Sequence, residues 1–198
     1  MKTLLQILAI VVLLGIEVYA AYAALHPHVT PEYRAYFIDR TTHDWVPTHY
    51  SATPESGIQF SKPGWPAFVR STSGFSSQED WGRWTDGRLA PSPKIVMDRE
   101  FSGPLCIQLM AHPSVAERGK KLQIIMDGSS SEITLTDPNL TEYDISFPHV
   151  QPADTLEFRF EQKVPSNAEV LPGSSDPRAL GMAVSSLRIL PHLCSVTK

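Results

Sequence analysis

The sequence predicts an all-β fold: an antiparallel two-sheet β-sandwich of jelly-roll type, preceded by one N-terminal hydrophobic helix. Three observations lead there. From residue 57 onward, alternations such as Leu122-Gln123-Ile124 and Leu156-Glu157-Phe158-Arg159-Phe160 recur. Their period of two marks strands with one wet face. Asp127-Gly128, Asp137-Pro138-Asn139 and Gln151-Pro152-Ala153-Asp154 separate the runs. Turn signals at roughly 8–12-residue spacing are the pattern of a sandwich or barrel. Finally, no long amphipathic helix follows the N-terminal segment, and the chain holds seventeen prolines. Proline breaks helix interiors.

The predicted strands are, in order, residues 57–60, 67–71, 94–97, 105–111, 121–127, 132–136, 142–147, 155–161 and 182–190. Residues 164–181 read as a long loop, and loops of that length are usually functional or mobile. The region 25–56 is rich in His, Pro, Thr and Tyr and has little periodicity. It reads as a membrane-proximal stalk, with Tyr33–Ile38 as one helical turn or a short strand. The division is thus 1–24 leader, 25–56 stalk and 57–198 sandwich.

Met1-Lys2-Thr3 precedes an apolar run from Leu4 to Ile16, broken by Gln6. Small residues follow at Ala-x-Ala spacing, in Val18-Tyr19-Ala20 and Ala21-Tyr22-Ala23. That is the layout of a secretory signal. It also suits an uncleaved signal anchor, with residues 4–24 spanning a bilayer and Glu17 near its outer interface. Both readings export residues 25–198.

The remainder is long enough for one domain with a real core. The net charge is −4. No basic stripe stands out, so nucleic acid is not an expected partner.

Chemistry concentrates between Gly74 and Gly87. Two tryptophans, three acids, one arginine and three glycines fall within these fourteen residues. An indole stacks on the C–H face of a sugar ring, and carboxylates and guanidinium fix orientation through hydrogen bonds. The expected contact set is Trp81, Trp84, Glu79, Arg83 and Asp86. If the segment is a strand, positions 81 and 84 face opposite sides, one indole in the core and one outside. The competing reading is packing: a tryptophan under a loop, with Arg83 paired to an acid. Glu79 and Asp86 are the one pair nominated for glycoside cleavage, which needs two carboxylates flanking the bond. Glu79, Asp80 and Asp86 equally offer oxygen ligands for a structural calcium, and the alternative is solvated turn acids, the reading favoured for Asp80. Ser76-Ser77 lacks a nucleophile-elbow frame. His26, His28, His43 and His49 are irregularly spaced and read as solvated. No cofactor and no metal site are expected.

Cys106 and Cys194 are the only cysteines. In an oxidising compartment they would pair, tying a central strand to the C-terminal tail. Two free thiols are the alternative, since geometry decides.

The run Gly74-Phe75-Ser76-Ser77-Gln78-Glu79-Asp80-Trp81-Gly82-Arg83-Trp84-Thr85-Asp86-Gly87 is similar to the signature of a bacterial envelope domain. Asp176-Pro177-Arg178-Ala179-Leu180-Gly181-Met182-Ala183-Val184-Ser185-Ser186-Leu187-Arg188-Ile189 resembles that family's end motif. The family is a poorly characterised β-sandwich found on inner-membrane sugar and phosphoglycerol transferases of Gram-negative bacteria, including the C-terminal part of phosphoglycerol transferase I. Thr85 stands where the family pattern has Ser. With leader, stalk and sandwich but no catalytic domain, the resemblance implies a periplasmic, non-catalytic module that contacts glycan. The alternative is a docking scaffold for a membrane transferase complex, and a glycosidase is the third choice.

Overall fold

The computed structural model describes residues 2–26, 29–42 and 49–195, and helix side chains at 2–5, 8 and 9 lie outside that description. Helix α1, Lys2–Leu25, carries apolar side chains exposed on every side, consistent with a run that has no polar face. Among the described residues, no helix is long and apolar enough to cross a membrane.

Next come α2, Pro31–Tyr33, and a π-helical stretch, Arg34–Asp39. Thr30 caps α2, its hydroxyl accepting from Tyr33 N at 3.3 Å. Left-handed Arg40 ends the stretch, its N–H bonded to Ala35 O. Strands follow as β1, His49–Tyr50; β2, Ile58–Gln59; β3, Trp65–Pro66; β4, Val69–Ser73; β5, Arg83–Asp86; β6, Lys94–Pro113; β7, Lys121–Met126; β8, Ser129–Thr134; and β9, Thr141–Phe160. A short helix α3, Asn167–Val170, and strand β10, Leu180–Leu190, complete the order.

The fold is an antiparallel two-sheet β-sandwich of jelly-roll type. The hydrogen-bonded path runs β2-β10-β6-β9-β7-β8, with β4 also on β6 and β5 also on β10. Two long strands serve both layers. The start of β6, Lys94–Met97, pairs with β4 and with the end of β9, whereas Cys106–Pro113 pairs with β10 and Leu105–Ala111 with the start of β9. Register shifts between Val96 and Leu105 make the corner. Bulges bend and twist a strand without ending it. Residues 94–97 and 105–111, expected as separate strands, are therefore one, as are 142–147 and 155–161. A two-residue parallel pair, His49↔Trp65 and Tyr50↔Pro66, lies apart from the antiparallel sheet.

The core follows the period of two. Leu105, Ile107, Leu109 and Ala111 of β6 face Leu122, Ile124 and Met126 of β7 and Leu156, Phe158 and Phe160 of β9 across one apolar cluster. In β10 a bulge between Val184 and Ser186 resets the alternation. Met182 and Val184 before it, and Leu187 and Ile189 after it, all point inward. Cys106 and Cys194 are joined in a disulfide, their Cα atoms 4.8 Å apart.

Candidate functional site

Residues 74–86 fold into an antiparallel hairpin. Ser76 N donates to Trp84 O at 2.8 Å, Glu79 N to Gly82 O at 2.8 Å, and Asp86 N to Gly74 O at 2.7 Å. The outer arm is β5, and it pairs with β10 through Val184↔Arg83, Ala183↔Trp84 and Leu180↔Asp86. The tryptophan run and the end motif, about a hundred residues apart in the chain, are thus adjacent strands.

Glycine permits that approach. A Cβ at Gly82 would collide with the Val184 carbonyl, and one at Gly181 would strike the Phe160 ring and come within 2.7 Å of Thr85 Oγ1. Backbone this close needs a residue without a side chain.

Alternation on β5 then sorts the side chains. Arg83 and Thr85 share the inner face and are 1% and 0% exposed. Arg83 Nη1 donates to Ser76 O at 3.2 Å, and its guanidinium lies 4.8 Å from the Trp65 ring centroid. Arg83 was expected to donate to a sugar. Burial corrects that, because its charge is held by the fold. The stack on Trp65 uses the attraction between a cation and an aromatic face.

Trp84 occupies the opposite face, half-buried, with Trp81 edge-to-face at 5.6 Å between ring centroids and 77° between planes. His112 of β6 completes the group, edge-on to Trp84 at 5.2 Å. The two indoles do not face opposite sides. Trp81 belongs to the turn rather than to β5, so the strand's parity does not govern it. Both are half-buried, and neither is core.

Trp81 is fixed from one side. Its Nε1 donates to Glu79 Oε2 at 3.0 Å, while Glu79 Oε1 takes Arg178 Nη1 at 3.0 Å. Arg178 also grips Asp176, Nη2 to Oδ2 at 2.9 Å. Burial alone would pull the Arg178 guanidinium down, but bonds to Asp176 and Glu79 hold it above its usual range. Burial likewise pushes Asp176 up, and Arg178 brings it net below the ordinary carboxylate value.

Asp86 is 0% exposed. Its carboxylate accepts from Tyr36 Oη at 2.6 Å, Arg88 N at 2.9 Å and Ala179 N at 3.1 Å. Asp86 therefore does not meet solvent, and the Glu79/Asp86 pair does not flank a cleft as glycoside cleavage requires. Its role is to join β5, the end motif and the helical stretch at 31–39. Burial and the bond to Asp86 push the Tyr36 phenol well up.

Among the described residues, the potential metal-ligand grouping is Cys106, Asp144 and Cys194, and both its cysteines are spent in the disulfide. His28 and His43 lie outside the described residues. His26 is next to Tyr22, its Nδ1 3.0 Å from Tyr22 O.

Three residues of this region were not anticipated. Arg178 was visible only inside the Asp-Pro-Arg of the end motif. Tyr36 sat in the segment read as stalk, and His112 gave no signal in sequence.

Residues 46–191 match a family described as a domain of unknown function, DUF7024. The chain belongs to this family. Over 137 residues it is 27% identical to phosphoglycerol transferase I of Escherichia coli O139:H28, strain E24377A, and equally to that of Shigella boydii serotype 18. These alignments cover 66% of the chain and 17% of each relative. The chain thus spans a minor part of the curated relatives it matches. Among solved structures, it is similar to a mutant of a family 29 carbohydrate-binding module at a TM-score of 0.43 and 12% identity, covering 69% of this chain and 90% of that one. Another family 29 module aligns at a TM-score of 0.38 and 11% identity, over 69% and 88% of the two chains. As a DUF7024 member, the chain has the two motifs that suggested the family locked together as β5 and β10.

Proposed function

We propose that this chain is an exported, non-catalytic module that contacts envelope or exported carbohydrate through Trp81 and Trp84. One observation carries the reading: two half-buried indoles sit edge-to-face on a hairpin that is paired to β10. Held planes of this kind suit the apolar faces of sugar rings, and they lose little entropy on binding. Glu79 stands beside them to accept from hydroxyls, with Arg178 behind it. His112 extends the patch.

Export rests on the leader pattern of residues 1–24. Retention in the inner membrane through residues 4–24 is the tethered form of the same proposal, in a Gram-negative periplasm.

Binding at a single open platform is weak, so display of many copies on one surface would raise avidity. The test is a glycan array probed with the full chain and with W81A and W84A. Loss of binding in either variant at nearly unchanged melting temperature supports the platform. If both variants unfold and the parent ignores every glycan offered, the hairpin is a structural latch.

A second reading is favoured by the 17% coverage of phosphoglycerol transferase I. A family module that forms a small part of a long transferase could be a docking surface for such enzymes. In that case exposed apolar substitutions on the sandwich would abolish co-purification with a transferase, and W84A would not.

A further inference from the structure

We infer that the cleft between the helical stretch at 31–41 and the hairpin's exit binds a phosphate-like dianion. The cleft is about 390 Å³, a volume that fits a sugar phosphate or smaller ester, and Arg40, Arg88 and Lys163 all line it. Among the described residues, none of these three cations enters an ion pair.

The carboxylate on the same wall, that of Glu169, is already engaged, accepting from Ser166 N at 2.7 Å as part of the α3 capping box. Three cations stand against Glu169 and, behind Tyr36 and Arg88, the buried Asp86 carboxylate, so the cleft keeps a net positive charge that suits a phosphate. In a chain whose net charge is −4, such a local excess is not a bulk property.

The cleft is also organised. Arg88 N is bonded to Asp86 Oδ1 at 2.9 Å, and the Arg88 guanidinium lies 4.8 Å from the Phe37 ring centroid and 5.8 Å from that of Tyr36. Stacking occupies the face of the guanidinium and leaves its in-plane N–H fork for an oxyanion, the geometry in which arginine recognises phosphate. Gly87, from the tryptophan run, lines the same wall.

This site is separate from the aromatic platform and does not rest on it. Phosphate reaches such a cleft free, as a substituted glycan, or as a lipid headgroup, so the ligands are chosen to separate these. Calorimetric titration of the full chain uses inorganic phosphate, glucose 6-phosphate, glycerol 1-phosphate and glucose. The phosphates should bind in a salt-sensitive manner and glucose should not compete with them. R88Q and K163Q should each weaken phosphate binding about tenfold, the loss of one charge-assisted hydrogen bond, while K121Q, which removes a cation outside the cleft, leaves it unchanged. K163Q touches no aromatic contact, so it tests the charge even if R88Q loosens the stretch at 31–41. The tightest of the three phosphates identifies the source. Phosphates that bind no better than glucose, or that bind K163Q and R88Q as well as the parent, overturn the assignment.

Discussion

Thr85 serves Met182 twice: its hydroxyl accepts from Met182 N at 2.8 Å and donates to Met182 O at 3.3 Å. Between Ala183 and Leu180 the register of β5 on β10 slips, and a side chain replaces the missing ladder bonds. Thr85 is 0% exposed and Met182 is in the core. T85V keeps the shape and removes both bonds. Each buried backbone group left without a partner costs about 1–3 kcal/mol. Urea denaturation should show a loss of that order, and T85S, which keeps the hydroxyl, should recover most of it. Equal stability of T85V and the parent would mean that other groups carry the slip.

The bond from Tyr36 to Asp86 predicts that the 31–41 segment is part of the folded unit. In Y36F the carboxylate keeps Arg88 N and Ala179 N but loses its third donor. A hydrogen bond to a charged group is worth about 1.5–3 kcal/mol, so Y36F should lower the melting temperature measurably. Backbone amides of Ala35 and Thr41 should exchange faster. The raised Tyr36 phenol adds a pH signature. The folded state holds its proton above the usual phenol range, where the unfolded chain has released it. Stability should fall as pH rises past 10 in the parent, and less steeply in Y36F.

Where apolar residues alternate without interruption, as at Leu122 and Ile124 or Leu156, Phe158 and Phe160, the strand and its buried face were legible in the sequence. Asp98-Arg99-Glu100 and Gly103-Pro104 have the composition of a loop, and they hid the continuity of β6. Bulges let the pairing resume beyond them, and pairing is not written in composition. Arg83 misled for a different reason. A charged residue is ordinarily assigned outward, but its place in the core depends on Trp65 and Ser76 O, contacts that only the fold creates. Asp86 is the same case, with donors from residues 36, 88 and 179. The indoles were legible as a candidate platform, but their mutual contact was not, because Trp81 lies in the turn and escapes the strand's parity.

The disulfide spans 88 residues of sequence, from β6 to the segment after β10. By the loop-entropy argument a closure of that length stabilises by about 4–5 kcal/mol. C194S, or reduction of the parent, should lower the urea midpoint accordingly. The unreduced, denatured parent should show no reactive thiol. Two thiols labelled before reduction would show that the bridge does not form in the isolated protein.

Glu117 gives the pH dependence with the clearest sign. It is 1% exposed, and Lys120 Nζ donates to its Oε1 at 3.0 Å while Oε2 has no hydrogen-bond partner. Burial pushes its carboxyl up, and Lys120 offsets only part of this. The folded state therefore holds a proton that the unfolded chain releases at the usual carboxylate pKa. Stability falls as pH rises through the window from that ordinary value, 4.5, to the raised folded value. Above the window the cost of burying the charge is fully present. E117Q removes the titration, so its stability should be flatter across that window when unfolding is followed at a series of pH values. A parent and variant with the same slope would mean that water reaches Oε2 and relieves the burial.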